Sequence, residues 1–221
     1  MNSICPSATP SSAPHTRRRT TALLAIFLFI AGAARAAIID RIAAIVNADV
    51  ITQSEVEAVQ KLGLNVSALP SDEGVLQERI DHHLVLQQIA RQPPLTVAPE
   101  RVQEIVDSIV QKYGGEEEFL MFLHSIGMNY QDFDKELREQ LNIQAFITLR
   151  FRPFVNVTID EAEQYYDDVY KRRFELAGQP APPFAVSFDQ IQKEIIESQV
   201  QQRTRQWLEE IRQSANIAIK E

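Results

Sequence analysis

The residues that could do chemistry are few, and their spacing works against them. His82 and His83 are adjacent on a segment with helical character. Neighbours on a helix point about 100° apart, so the two cannot grip one metal ion from one face. They read as one surface histidine and one packed histidine, and His124 stands alone. Asp167-Asp168 and Glu209-Glu210 are neighbouring acids. A carboxylate pair doing acid/base work needs convergent geometry and distinct environments, and neighbours on a helix diverge, so these read as solvated charged faces. The one cysteine, Cys5, lies in the N-terminal segment 1–36 that reads as a secretory signal, so the processed chain would have none, which removes disulfides, thiol nucleophiles and thiolate metal sites. There is no H-E-x-x-H, no G-x-S-x-G, no P-loop and no G-x-G-x-x-G. The sequence therefore offers no catalytic set, no metal ligands and no cofactor site.

What it does offer is aromatic surface. Tyr130, Phe151, Phe154, Tyr165, Tyr166, Tyr170, Phe174, Phe188 and Trp207, with Val169 among them, are the candidates for holding another polypeptide. At helical spacing such residues belong to the core more often than to a site. The stretch Tyr165-Tyr166 and Val169-Tyr170 differs, because it covers a wide arc beside a proline-rich segment. A thin structure cannot bury all of it. Tyrosine suits a wet groove, with an apolar body and a polar tip.

The elements that must position these residues are mostly helices. Ile38 to Val46 reads as a strand, Asn47-Ala48-Asp49 as a turn and Val50-Ile51 as a short return. Thr52 and Glu55 form a capping box for a first helix ending near Gly63. A second helix starts at Ser71 or Asp72 and runs to about Arg91, stopped by Pro93-Pro94. A third opens at Pro99 and ends at Gly114. A fourth spans Glu116 to about Ile126. Asn129 caps a long fifth helix reaching Phe151, on which Phe133, Leu137, Leu141, Ala145 and Leu149 step by four. Ile143, Phe146 and Ile147 widen that stripe, as in a helix buried from several sides. Thr158 caps a sixth helix through Phe174, with Glu161 as its box partner. Ser187 and Gln190 box a seventh, running to about Arg212. That helix is apolar at both ends and polar between Glu197 and Gln206, the pattern of a helix bridging two contacts. Asn216 to Lys220 alternates and reads as a closing strand, pairing with the first.

Residues 1–36 read as a secretory signal: Arg17-Arg18-Arg19, an apolar run from Ala22 to Ile30, and an A-x-A stretch ending at Ala36. The run is shorter than the roughly 20 apolar residues of a membrane span. The whole chain of 221 residues carries a formal charge of −8, and losing the segment's four arginines takes it to −12. So acidic a chain repels nucleic acid and anionic membrane surfaces. The domain plan is then a signal at 1–36, a helical core at 37–174, a proline-rich linker at 175–186, and a C-terminal helix and strand at 187–221 completing the core.

The segments Ile39-Asp40-Arg41-Ile42-Ala43-Ala44-Ile45-Val46-Asn47 and Val50-Ile51-Thr52-Gln53-Ser54-Glu55-Val56 resemble the opening strand, turn and helix of the SurA family of periplasmic chaperones. Similarity continues through Arg79 to Gln87, Tyr130-Gln131-Asp132-Phe133, Val157 to Tyr166, and Trp207 to Ile219. The resemblance implies a mostly α fold: a multi-helix peptide-binding core with a small β element built from the N- and C-terminal strands. In the family, parvulin-type prolyl isomerase domains usually sit before the C-terminal helix. Here that gap is only Glu175 to Val186, far below the roughly 50 residues of a small domain. The resemblance thus implies a non-catalytic, ATP-independent chaperone in the periplasm. Its partners would be unfolded or nascent exported polypeptides, outer-membrane proteins among them, and the machinery that assembles outer-membrane proteins. Two other readings stand beside it: a non-catalytic subunit of an envelope complex or dimeric interaction module, and a prolyl isomerase with an unrecognised site.

Overall fold

The computed structural model of the protein describes residues 40–220, apart from 65, 67, 68, 71 and 96. The signal reading of 1–36, the first residues of the leading strand and the cap at Ser71 lie outside the described residues. The described chain begins with a three-stranded antiparallel sheet of order β2-β1-β3: β1 (Ile42–Val46), β2 (Asp49–Thr52) and β3 (Ile217–Ile219). β1 pairs Val46 with Asp49 and Ile45 with Val50 on one side, and Val46 with Ile217 and Ala44 with Ile219 on the other. A register shift between Ile42 and Ala44 accompanies the burial of both Ala43 and Ala44, adjacent residues that a regular strand would send to opposite faces. The expected pairing of the chain's last strand with its first is present. Asn47 sits in the turn with φ 57°, a left-handed conformation that asparagine tolerates better than most residues. Its backbone N–H donates to Asn216 O, and its Oδ1 accepts from the Asn216 N–H.

Eight α-helical segments carry the rest. α1 (Gln53–Leu62) is capped by Thr52, whose side chain accepts from Glu55 N–H, and ends at Gly63 with φ 62°. The expected box is only half made, because the Glu55 carboxylate accepts from Arg79 and His83 instead. α2 (Val75–Ile89) begins three residues beyond the last expected start, Asp72; Gly74, at φ 93°, holds the chain in a conformation that no right-handed helix contains. α3 (Pro99–Lys112), α4 (Glu116–Ser125) and α5 (Tyr130–Phe151) follow. α5 carries a complete capping box between Asn129 and Asp132.

The four-step stripe on α5 needs correction. Phe133, Leu137 and Leu141 are buried, but Leu149 is 62% exposed. At 3.6 residues per turn, each step of four drifts by about 40°, so the stripe leaves the core and Ile143, Phe146 and Ile147 replace it.

A 3-10 turn (Arg152–Phe154) leads to α6 (Ile159–Tyr165), capped by Thr158. Glu161 does not close that box either; it accepts from Gln199. The expected continuous sixth helix is interrupted by a π-helical turn at Tyr166–Tyr170 before α7 (Lys171–Leu176). α8 (Phe184–Ser214) runs for 31 residues. It starts three residues ahead of the expected Ser187 cap. Pro183 keeps the preceding residue out of the helical region and itself serves as the first boundary. Ser187 is thus inside the helix, 3% exposed, and does not cap.

Three apolar clusters result. The first joins the sheet, α2, the C-terminal half of α5 and the end of α8, through Val46, Ile51, Ile80, Leu84, Ile147 and Leu208. The second joins α3, α4 and the N-terminal half of α5, through Val106, Phe119, Leu123, Phe133 and Leu137. The third joins α6, the π turn and the start of α8, through Ala162, Tyr170, Ile191 and Ile195. α5 and α8 each serve two clusters.

Candidate functional site

α8 is anchored most deeply at its two ends, with Gln199 between them donating to Glu161 of α6 and Val200 packing against the first cluster. Ile191 and Ile195 enter the third cluster, and Trp207, Leu208 and Ile211 the first. Between these anchors it stands away from the C-terminal half of α5 and leaves a furrow of about 560 Å³. The floor is apolar, with Ile147, Ile196 and Val200, and the rim carries the side-chain amides of Gln144, Gln192 and Gln201. A shallower groove of about 380 Å³ lies between α6 with its π turn and α8, lined by Tyr165, Val169, Ile195 and Gln199 among others. Three apolar residues outside both linings are strongly exposed: Phe154 is 71% exposed, Leu176 91% and Val186 77%.

The ten residues singled out by sequence do not form one patch. Phe151 and Trp207 pack with Phe146, ring centroids 5.8 Å from Trp207 in both cases, and Arg150 lies 5.0 Å over the indole. Trp207 is buried. Tyr165, Tyr166, Tyr170, Phe174 and Phe188 belong to the third cluster or pack against it. The three tyrosine hydroxyls donate to Glu194, Pro182 O and Gln190 respectively, so they fasten α8 and the preceding loop to α6 and the π turn. Val169 is 42% exposed and Tyr130, at the far end of α5, 43%. Tyr165 and Val169 reach a groove, and none of the ten lines the α5–α8 furrow. The furrow residues carried one signal in the sequence, the polar middle of the last helix, but no aromatic marks them.

A third groove, about 580 Å³, lies between the β2–α1 junction, α2 and the N-terminal half of α5. Its charged wall is a network centred on α2. Arg79, 5% exposed, donates through Nη1 to both oxygens of Glu136 at 2.9 and 3.0 Å, and through Nη2 to Glu55 at 2.6 Å. Burial pushes Glu55 up, but hydrogen bonds from His83 and Arg79 and the charge of Arg79 outweigh it and hold the carboxyl at about 2. The buried His82 reaches Glu139 at 3.2 Å, and burial lowers its pKa below the ordinary 6.5. His82, Glu136 and Glu139 bring their ligand atoms within 4.8 Å of one another, a grouping that the sequence reading did not foresee. The Arg79 guanidinium already supplies the positive charge Glu136 faces, so a cation there would compete with it. The expected split of the two histidines is half right: His82 is packed, while His83 is half-buried and reaches Glu55 at 3.3 Å.

The arrangement can bury apolar side chains of another chain against an uncovered furrow. Among the described residues, no helix is long and apolar enough to cross a membrane. Residues 39–146 match the family of the SurA N-terminal domain. The chain is also 27% identical over 150 residues to the chaperone SurA of Pseudomonas fluorescens (strain Pf0-1), an alignment covering 62% of this chain and 35% of that protein. The chain thus spans about a third of that relative's length. A mostly helical core, closed by a sheet that joins both ends of the described chain, agrees with that match: residues 39–146 of this chain are similar to the N-terminal domain of SurA-type chaperones.

Proposed function

We propose that the protein is an ATP-independent holdase that binds unfolded polypeptides after export, outer-membrane proteins in transit among them. The observation that carries this reading is the open α5–α8 furrow with Ile147, Ile196 and Val200 on its floor. Exposed apolar residues outside its lining, Phe154 and Val186 above all, add surface on which a client can lie, and Tyr165 with Val169 offers a second, shallower groove. Burial of client side chains contributes about 25 cal/mol per Å². Ordering both partners offsets much of it, which puts affinity on the order of micromolar. Weak binding suits a chaperone that must release its client without nucleotide. The net negative charge keeps such a surface soluble. The signal-like segment at 1–36 supports export to the periplasm.

The test is an aggregation assay on an unfolded outer-membrane barrel protein, run with the full chain lacking residues 1–36. The chain is expected to slow aggregation at micromolar concentrations, and Val200→Arg, which places a charge on the furrow floor, to weaken the effect severalfold. A chain that leaves aggregation unchanged overturns the reading. A tight, concentration-independent complex with a second copy would favour a permanently covered interaction module.

A further inference from the structure

α4 turns one face into the second cluster, through Phe119 and Leu123, and the opposite face to solvent. On that outer face Leu120 is 41% exposed and Met121 60%. Glu117 and His124, both exposed, flank them along the helix and line the same shallow surface. At 3.6 residues per turn these four side chains fall within an arc of about 100°. Single exposed apolar residues need no explanation; the order of this set does.

The spacing reads the same in both directions. Glu117 precedes Leu120 by three residues, and His124 follows Met121 by three. A two-fold axis between Leu120 and Met121, perpendicular to the helix, exchanges Leu120 with Met121 and Glu117 with His124. Two antiparallel copies of α4 therefore lay Leu120 of each on Met121 of the other. The same operation brings each Glu117 carboxylate to the other copy's His124 ring. Within one helix the two cannot meet, because they lie about 10.5 Å apart along the axis. Such a face is self-complementary, the condition for a closed two-fold dimer.

We infer that the outer face of α4 is a self-association surface, and that its partner is the α4 of a second copy, antiparallel. The contact is small, about 15 Å of helix, and falls below the area of a standard stable interface. Association is therefore weak and reversible, with a dissociation constant on the order of 100 μM. General electrostatics opposes it, since each copy carries a net negative charge. The apolar centre drives the contact, and the Glu117–His124 pairs at its two ends fix its register. No residue of α4 lines the α5–α8 furrow, and pairing does not depend on the holdase reading.

The test is sedimentation velocity on the full chain lacking residues 1–36, from about 20 μM to about 1 mM, with the fold of each variant checked by thermal melting. The parent is expected to shift from monomer towards dimer across that range. Met121→Glu, which sets carboxylates beside the two-fold axis, is expected to stay monomeric. Glu117→Lys should weaken association about fivefold, since the symmetry breaks two pairs at once. It also lowers the net negative charge, so general repulsion alone would make that variant associate more tightly. Combining Glu117→Lys with His124→Glu reverses both pairs and should restore the parent's constant to within about twofold. A parent that is monomeric at every concentration overturns the inference. So does a dimer that Met121→Glu leaves intact, because another surface then makes it. A loss in Glu117→Lys that the double variant does not recover rules out the antiparallel register, and the inference with it.

Discussion

The contacts around α2 and those around the α6–α7 lobe are built from the same kinds of residues and hold very differently. On α2, Arg79 lies between Glu55 and Glu136, and Asp81, 1% exposed, accepts from Arg212 at the end of α8. These partners are 24 to 131 residues apart in sequence and sit against a packed apolar cluster. In the lobe, Arg173 meets Glu194 at 3.1 Å with its own side chain 53% exposed, and the three tyrosine hydroxyls lie at its edge. Buried pairs cannot be broken without stranding a charge in low dielectric. Exposed pairs exchange for water at little cost. The first region is therefore a scaffold that fixes one end of α8. The second holds the other end of α8 through a smaller apolar cluster edged by exposed polar pairs. The furrow lies between them.

The strongest way to break this contrast is Arg79→Ala. It leaves Glu136 and Glu55 facing each other without their shared cation and should cost about 3–5 kcal/mol, read as a shift in urea unfolding. A loss below 1 kcal/mol would mean that the network is not the anchor described.

Acid sharpens the same point. Glu55 is held at about 2 against an ordinary 4.5, and His82 lies below its ordinary 6.5. Both folded values are depressed, so the unfolded chain takes up these protons first. The two contributions are full above about pH 6.5. The His82 part is lost as pH falls below that, and the Glu55 part as pH falls from 4.5 towards 2. Urea midpoints at pH 7, 5.5 and 4 should decline in that order, and His82→Gln should flatten the step between 7 and 5.5. An unchanged step would remove His82 from the account.

Asn47→Ala is a smaller perturbation. It places alanine at φ 57° and removes the acceptor for Asn216 N–H, a cost of about 1–2 kcal/mol, visible as a lower melting temperature. The smallest effect belongs to the α6–α7 lobe: Arg173→Ala should cost no more than about 0.5 kcal/mol in global stability. It should still raise hydrogen exchange in α6 and the first turns of α8 selectively. A global loss equal to that of Arg79→Ala would erase the distinction between the two regions.

Much of this architecture was legible in the sequence. Periodicity, proline and glycine placement, and the Asn129 cap gave the helices and their order, because each depends on residues within one or two turns. The pairing of the last strand with the first was legible as well, from the alternating segment at each end. The capping boxes at Thr52 and Thr158 were half right for a physical reason. Glu55 and Glu161 were available to their own helices, but Arg79 and Gln199 reached them from elsewhere in the chain. The aromatic arc at Tyr165 to Tyr170 reads as lining a groove in part; Tyr165 and Val169 do line one, while the three tyrosine hydroxyls bind α8 and the loop before it.

Local chemistry, then, fixed the helices, their stops and the absence of familiar catalytic motifs, since a cap or a stripe is decided by neighbours in sequence. The ion network on α2 and the α5–α8 furrow were decided only when distant segments packed together. Arg79 acquires its role from residues 24 and 57 positions away. The furrow exists because α8 and the C-terminal half of α5 come together across it, and no stretch of sequence contains both of its walls.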